Sequence, residues 1–285
     1  MTKRTLTMLG TGYATATRCY NTCFTIKSDG TTLLVDAGGG NTILNRLEES
    51  GTPLDDIHYM YLTHAHTDHV LGAVWVVRMV MQMSRNGIYD GVLHVYGHDK
   101  VLGVLECICR QTLPAKFSAL IGSVVMLHEV EDGDSLSVGD MTVTAFDIHS
   151  TKEKQFGFRA RWSDGTTLVC LGDEPYNEAT KPYAENAQWL LSEAFCLYAD
   201  RERYKPYEKH HSTARDAARL AASLNVRNLV LYHTEDRSLG TRRLTYKAEA
   251  EAEFSGNVFV PDDLESIEIN SPKHQYRAFA GTENA

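Results

Sequence analysis

No apolar run in this chain reaches the length of about twenty residues that a bilayer requires. The stretch Val70 to Met83 is apolar almost all round, broken only by Arg78 and Gln82, and falls short of it. It reads as a core helix or, since its apolar residues exceed one face, as a helix shared with a second copy of the chain. Basic charge is scarce too: 28 Lys and Arg stand against 37 Asp and Glu, a formal net charge of −9. Proteins that grip a long polyanion usually carry a basic stripe, so a small substrate is expected ahead of RNA. No two of the cysteines (Cys19, Cys23, Cys107, Cys109, Cys170, Cys196) have the C-x-x-C spacing of a zinc knuckle or redox motif. Reduced, mostly buried thiols in a cytoplasmic protein are the expectation. Met1 to Gly12 holds Lys3 and Arg4 but no apolar region of signal-peptide length, which fits that compartment. No Pro-, Gly- or Ser-rich linker and no internal repeat divides the 285 residues. They read as one domain over residues 1–270 with a polar tail, 271–285.

What the chain does have is concentrated in one stretch: His64, Ala65, His66, Thr67, Asp68, His69. Four metal-capable side chains follow an apolar segment, Tyr59 to Leu62, so they fall at a strand end, in a loop where sites usually sit. His64 and His66 alternate by two and point to one side of an extended chain. Asp68 and His69 can face a second point. A catalytic zinc takes about three protein ligands and keeps a position open. Two ligands plus two therefore read as half of a two-metal site.

Other candidates recur at strand ends. Thr5 to Leu9 reads as a strand that runs into Gly10-Thr11-Gly12. Cys23 to Lys27 and Thr31 to Val35 read as a hairpin about Asp29-Gly30. The second of these strands ends in Asp36, which can orient a metal-ligand histidine or cap the helix expected over Asn41 to Ser50. Val92 to Tyr96 reads as a strand and Val101 to Thr112 as a helix. Val124 to Leu127, Thr142 to Ile148, Gln155 to Arg161 and Thr167 to Leu171 read as strands of a second sheet. His149 closes the second of these and Asp173 follows the last. Leu190 to Phe195 is a short strand with Glu193 near its end. His210 and His211 precede a helix, Ala214 to Leu224, whose Thr213 and Asp216 fit a capping box. A helix N-terminus favours anions, so these histidines lie where a phosphate would be welcome. Asn228 to Tyr232 is a strand with His233 at its end.

The strand-end ligands are then His64, His66, Asp68, His69, His149, Asp173 and His233. Seven suit two metals: three histidines on one, Asp plus two histidines on the other, and a carboxylate between. Zinc is expected, with manganese or iron as alternatives. His128 is the rival of His149, which is preferred because it follows a longer apolar strand. His58, His94, His98 and His274 are read as ordinary residues.

The stretch His64 to His69 resembles the H-x-H-x-D-H signature of the metallo-β-lactamase superfamily. That resemblance implies an α/β fold: a four-layer αβ/βα sandwich of two mixed sheets, with helices on the outer faces and metals at one edge. Further segments are similar to the ribonuclease Z branch. They are Leu9-Gly10-Thr11-Gly12, Leu62-Thr63-His64 through Gly72, Val95-Tyr96-Gly97, His149 with Phe156-Gly157-Phe158-Arg159, and Gly172-Asp173-Glu174 in place of G-D-T. Ser192-Glu193-Ala194, His211-Ser212-Thr213-Ala214 and His233 complete the likeness, which runs from Leu6 to about Asp236. It implies phosphodiester hydrolysis, with Asp68 as a catalytic ligand and His211, oriented by Glu193, as general acid. A histidine paired with a carboxylate at a helix N-terminus is well placed for that task. It also implies a homodimer formed partly by the Val70 to Met83 helix.

Two departures bear on the substrate. The transfer-RNA-processing members carry a basic, Gly-rich arm between the F-G-Y-R and G-D-T strands. Here only Ala160 to Leu171 lies between them, around Ser163-Asp164-Gly165. The family's R-Y after the last histidine is replaced by Thr234-Glu235-Asp236-Arg237. The expectation is a dinuclear phosphodiesterase for a small diester such as a cyclic nucleotide. The alternatives are a transfer-RNA 3′-processing endoribonuclease, a metallo-hydrolase of a lactone, amide or thioester, and a non-catalytic metal-binding sensor.

Overall fold

The computed structural model describes residues 3–269, so the expected polar tail lies outside the described residues. The first half runs β1 (Arg4–Gly10), β2 (Cys23–Ser28), β3 (Thr31–Val35), α1 (Thr42–Glu49), β4 (Ile57–Tyr61), α2 (Thr67–Arg85), β5 (Leu93–Gly97), α3 (Asp99–Thr112), α4 (Ala115–Ser118) and β6 (Val125–Glu129). The second runs β7 (Ser135–Val138), β8 (Met141–Asp147), β9 (Phe156–Trp162), β10 (Thr167–Cys170), α5 (Lys181–Ala184), β11 (Trp189–Glu193), α6 (Arg201–Tyr204), α7 (Ala214–Ser223), β12 (Asn228–Tyr232), α8 (Leu239–Glu251) and β13 (Asn257–Phe259). A last strand, β14 (Ser266–Glu268), returns to pair antiparallel with β1. The two sheets have seven strands each, in the orders β14-β1-β2-β3-β4-β5-β6 and β13-β12-β11-β10-β9-β8-β7.

The Asp29–Gly30 hairpin forms as expected, both residues taking the positive φ its tight turn needs (46° and 78°). One assignment is corrected. Val124 to Leu127 was expected in the second sheet, but β6 pairs parallel with β5 at the edge of the first. The helices between β5 and β6 supply the crossover that parallel pairing needs. The chain changes sheets only after β6, and β7 opens the second.

Three apolar clusters make the layers. Phe24, Leu33, Val35 and Tyr61 of the first sheet meet Phe158, Trp162, Leu191 and Tyr232 of the second in the central core. A second cluster lies under α1, α2 and α3, and a third under α7 and α8. This is the expected αβ/βα sandwich.

The sheet topology places the site. β3, β4 and β5 run parallel, as do β10, β11 and β12. Their C-terminal ends carry Asp36, His64, Asp173, Glu193 and His233. Open α/β sheets bind ligands at that edge, where turning backbone leaves side chains free of the ladder. Asp36, His149, His210 and His233 all take left-handed backbone (φ 52°, 57°, 55° and 56°), a strain that clusters at functional turns.

Candidate metal centre

Close packing of one helix against one turn begins the site. Gly72 of α2 donates its amide to Gly38 O at 2.8 Å, and a Cβ there would stand 1.7 Å from Ala37 O. Only glycine lets α2 lie so close, and this contact sets Asp68 and His69, in the first turn of α2, beside Asp36. Asp36 does not cap α1, whose N-cap is Asn41. Its carboxylate accepts the Thr63 amide (2.9 Å) and hydroxyl (2.7 Å) and stands 2.7 Å from His69 Nδ1. His69 Nε2 is thereby turned towards the centre, the outer-shell role one of the two readings of Asp36 proposed.

Six of the seven expected ligands come together. His64, His66 and Asp173 form one group, and Asp68, His69 and His233 another, with ligand atoms of each group within 4.8 Å of one another. Asp173 reaches both: its Oδ2 lies 3.6 Å from His64 Nε2, 3.5 Å from His69 Nε2 and 3.4 Å from His233 Nε2. His64 Nε2 and His66 Nδ1 are 2.9 Å apart on nearly perpendicular rings (80°) whose centroids are only 4.5 Å apart. At that distance the two nitrogens share one proton in a hydrogen bond, which a cation held between them would replace.

The seventh expected ligand, His149, is exposed and joins neither group; its amide donates to Asp147 Oδ1 at 2.7 Å. Its rival His128 lies on the first sheet, 2.8 Å from His94 Nδ1 and stacked on Tyr96. The loop after His149 is pinned by Glu174, the residue in place of Thr. Ser150 Oγ (2.6 Å) and the Thr151 amide (3.3 Å) donate to it, and Lys152 Nζ lies 3.9 Å away.

Sequence reasoning missed Gln155. Buried just before β9, it donates to Asp173 Oδ1 at 2.5 Å, and its Nε2 lies 3.2 Å from His64 Nδ1. Its one signal was its place just before Phe156-Gly157-Phe158-Arg159.

The donor set fits a pair of cations. Asp68 Oδ2, His69 Nε2 and both His233 ring nitrogens are buried without a hydrogen-bond partner among the described residues. Such orphaned groups cost free energy unless something binds them, and a metal ion does. Burial holds His64 well below the ordinary histidine value, so it is neutral with its lone pair available. Burial would raise Asp68 and Asp173, but the imidazoles around them win and hold both carboxyls below the usual range. Against its burial, the carboxylates of Asp68 and Asp36 hold His69 above its ordinary value instead, with a proton that a cation would displace on binding.

His211 and Glu193 stand beside the second group, with His211 Nδ1 3.6 Å from Glu193 Oε2 and the His211 ring 5.2 Å from that of His233. The Ser212 amide donates to the other Glu193 oxygen. Thr213 and Asp216 form the expected capping box of α7. Burial would lower His211, but the Glu193 carboxylate 3.6 Å from its Nδ1 outweighs it, and the ring is held above its ordinary value.

A family model described as Anti-Pycsar protein Apyc1 matches residues 4–254 of the chain. The Ribonuclease Z of Mycobacterium bovis is 24% identical over 265 residues, spanning 86% of this chain and 90% of that protein. The metallo-beta-lactamase fold protein YhfI from Bacillus subtilis superposes with a TM-score of 0.75 at 23% identity, covering 93% of this chain and 99% of that one. Human tRNase Z, short form, gives a TM-score of 0.71 at 20% identity, over 93% of this chain and 99% of that one. At those identities the two structures speak for the fold alone.

Proposed function

Because the chain belongs to the anti-Pycsar protein Apyc1 family, and is a ribonuclease Z-like metal-dependent hydrolase of the metallo-β-lactamase superfamily, we propose that it hydrolyses a small phosphodiester such as a cyclic nucleotide. The observation that carries the small substrate is the connection between β9 and β10. Where an RNA-gripping arm would leave the fold, Trp162 and Thr166 close a tight turn, Thr166 O accepting the Trp162 amide at 3.0 Å. Arg4 locks that turn through Asp164 at 2.7 Å. Binding energy must then come from groups around a single diester, and the net charge of −9 favours that over a long polyanion.

Two zinc ions, or manganese or iron, would be held by His64, His66 and His149 on one side and by Asp68, His69 and His233 on the other, with Asp173 between. Bound there, the pair supplies Lewis-acid polarisation of the phosphoryl group and activation of the attacking water. The chain's own residues do the rest. Asp36 and Gln155 fix the ligands to which they hydrogen-bond. The Glu193 carboxylate, 3.6 Å from Nδ1, favours the protonated His211 ring, whose Nε2 would give its proton to the leaving oxygen as the P–O bond breaks. The N-terminus of α7, just beyond, favours the phosphate's negative charge.

The further expectations are a cytoplasmic protein and a homodimer. Leu71, Met79 and Met83 of α2 are only partly buried, and Trp75 is 39% exposed. At four-residue spacing they lie along one side of the helix about the exposed Trp75, with Met79 and Met83 also lining a groove against Leu44 and Leu47 of α1, and this apolar side supports pairing with a second copy. The transfer-RNA alternative draws its support from relatives named Ribonuclease Z. Competition between cyclic nucleotides and a precursor transfer RNA at physiological salt decides between the two. Higher kcat/KM on the cyclic nucleotides is expected. Single-site cutting of the precursor with no turnover of small diesters would overturn the proposal.

A further inference from the structure

Beside the metal centre lies a polar cleft that the hydrolytic groups do not use. The loop Ala16–Asn21 and the turn beginning at Gly39 enclose about 370 Å³, with Arg18, Asn21, Gly39 and Thr42 among the lining. Gly39 links it to the centre: a Cβ there would stand 3.6 Å from the Cα of Asp68 and 2.7 Å from Asn21 Oδ1. Asn21 Nδ2 donates to the carbonyls of Tyr13 (2.9 Å) and Ala14 (3.2 Å). Those bonds fix the amide and turn its acceptor oxygen towards Gly39. Arg18 and Thr42 are exposed at the rim. The lining thus presents a guanidinium donor, an amide acceptor and a hydroxyl around a bare glycine surface, which suits a flat ring with a polar edge.

Two buried or half-buried carboxylates hold the loop in place. Asp236, only 7% exposed, accepts the amides of Thr17 (2.7 Å) and Arg18 (3.0 Å) through one oxygen. Asp263 accepts the Tyr20 amide at 2.6 Å and the Thr11 amide at 3.0 Å. At the loop's start, Tyr13 packs edge-on against Phe195, 5.0 Å between centroids, and Phe195 packs against His211 at 5.2 Å. The segment leading into the loop thus packs against the wall that carries His211, while Gly39 on the other side of the cleft lies against the first turn of α2. Asp236 lies in Thr234–Arg237, the segment where the ribonuclease Z-like R-Y is missing.

We propose that this cleft is the subsite for the nucleoside part of the substrate, and that Asp236 is the positioning residue that gives it its shape. The inference rests on the phosphodiesterase reading and deepens it: discrimination among nucleobases resides in the loop Ala16–Asn21. It predicts a division of labour, in which the metal centre treats every diester alike and the cleft ranks them by base.

The test compares kcat/KM of metal-loaded enzyme on the cyclic monophosphates of adenosine, guanosine, cytidine and uridine with that on methyl p-nitrophenyl phosphate, which carries no nucleoside. In Arg18→Ala and Asp236→Ala the ratio of cyclic-nucleotide to chromogenic kcat/KM should fall about tenfold, as expected for losing a hydrogen bond to a charged group. The fall should sit in KM, and the ranking of the four bases should change. Asp236→Asn keeps an acceptor oxygen and should recover most of the loss. Arg18 is exposed, so its variant reads the subsite even if Asp236→Ala fails to fold. An unchanged ratio and ranking, or equal loss on both substrate types, would overturn the subsite alone. Wild-type enzyme inert on every diester would overturn the phosphodiesterase reading and the subsite with it.

Discussion

His69 Nδ1 lies 2.7 Å from Asp36 Oδ2, and the same carboxylate takes both the amide and the hydroxyl of Thr63. One buried group thus orients a histidine of α2 and fixes the residue before His64, so both halves of the centre depend on it. Asp36→Ala should leave the fold intact and weaken metal binding by about 10–100-fold, the usual cost of losing an outer-shell partner. Chelator competition measures this. Unchanged affinity would show that packing alone orients His69.

His149 poses a sharper question, because it stands exposed and apart from the six gathered ligands. If it belongs to the set, His149→Ala should loosen the ion held with His64 and His66 and spare the one held by Asp68, His69 and His233. Asp173 reaches both groups, so Asp173→Ala should loosen both. Titration with stepwise metal analysis separates the two patterns. Two ions retained at full affinity in His149→Ala would remove it from the ligand set.

How much of this was legible in the sequence depends on separation along the chain. His64 to His69 lie within six residues, so their spacing alone carried the reading. Local rules also found the Asp29–Gly30 turn and the Thr213–Asp216 capping box. The bond from Asp36 to His69 spans 33 positions and that from Asp236 to Thr17 spans 219, and no local pattern marks either. β7, β13 and β14 were not anticipated because each has a single buried residue, which gives no apolar period to read. β6 was seen as a strand but put in the wrong sheet, since its alternation says nothing about its partner.

The outer face of α2 should govern assembly. Trp75 lies midway along the stripe of Leu71, Met79 and Met83. Trp75→Glu puts a charge where a second copy would bury an aromatic ring, an unfavourable exchange without a partner cation. The wild type should be a dimer in light scattering at micromolar concentration, and the variant a monomer with its metals retained. A monomeric wild type, or a dimeric variant, would send the stripe back to an ordinary surface.

The pair of His211 and Glu193 makes the most specific prediction about rate. His211 is held above its ordinary value by Glu193 despite burial, so it keeps its proton to higher pH than a free imidazole does. An acid that must be protonated gives activity that falls as pH rises through the raised value, an alkaline limb starting above the ordinary ~6.5 of histidine. Stability follows the same sign. The favourable protonation contributes fully below the unfolded value and is lost as pH rises through the folded one. His211→Ala should keep its metals, lose about 10²–10⁴ in kcat, and lose the alkaline limb with it. Glu193→Gln removes the charge that raises His211, so its limb should move to lower pH while metal content holds. Metal loss in His211→Ala would make that residue a ligand instead. An alkaline limb that stays put in Glu193→Gln would show that some other group supplies the proton.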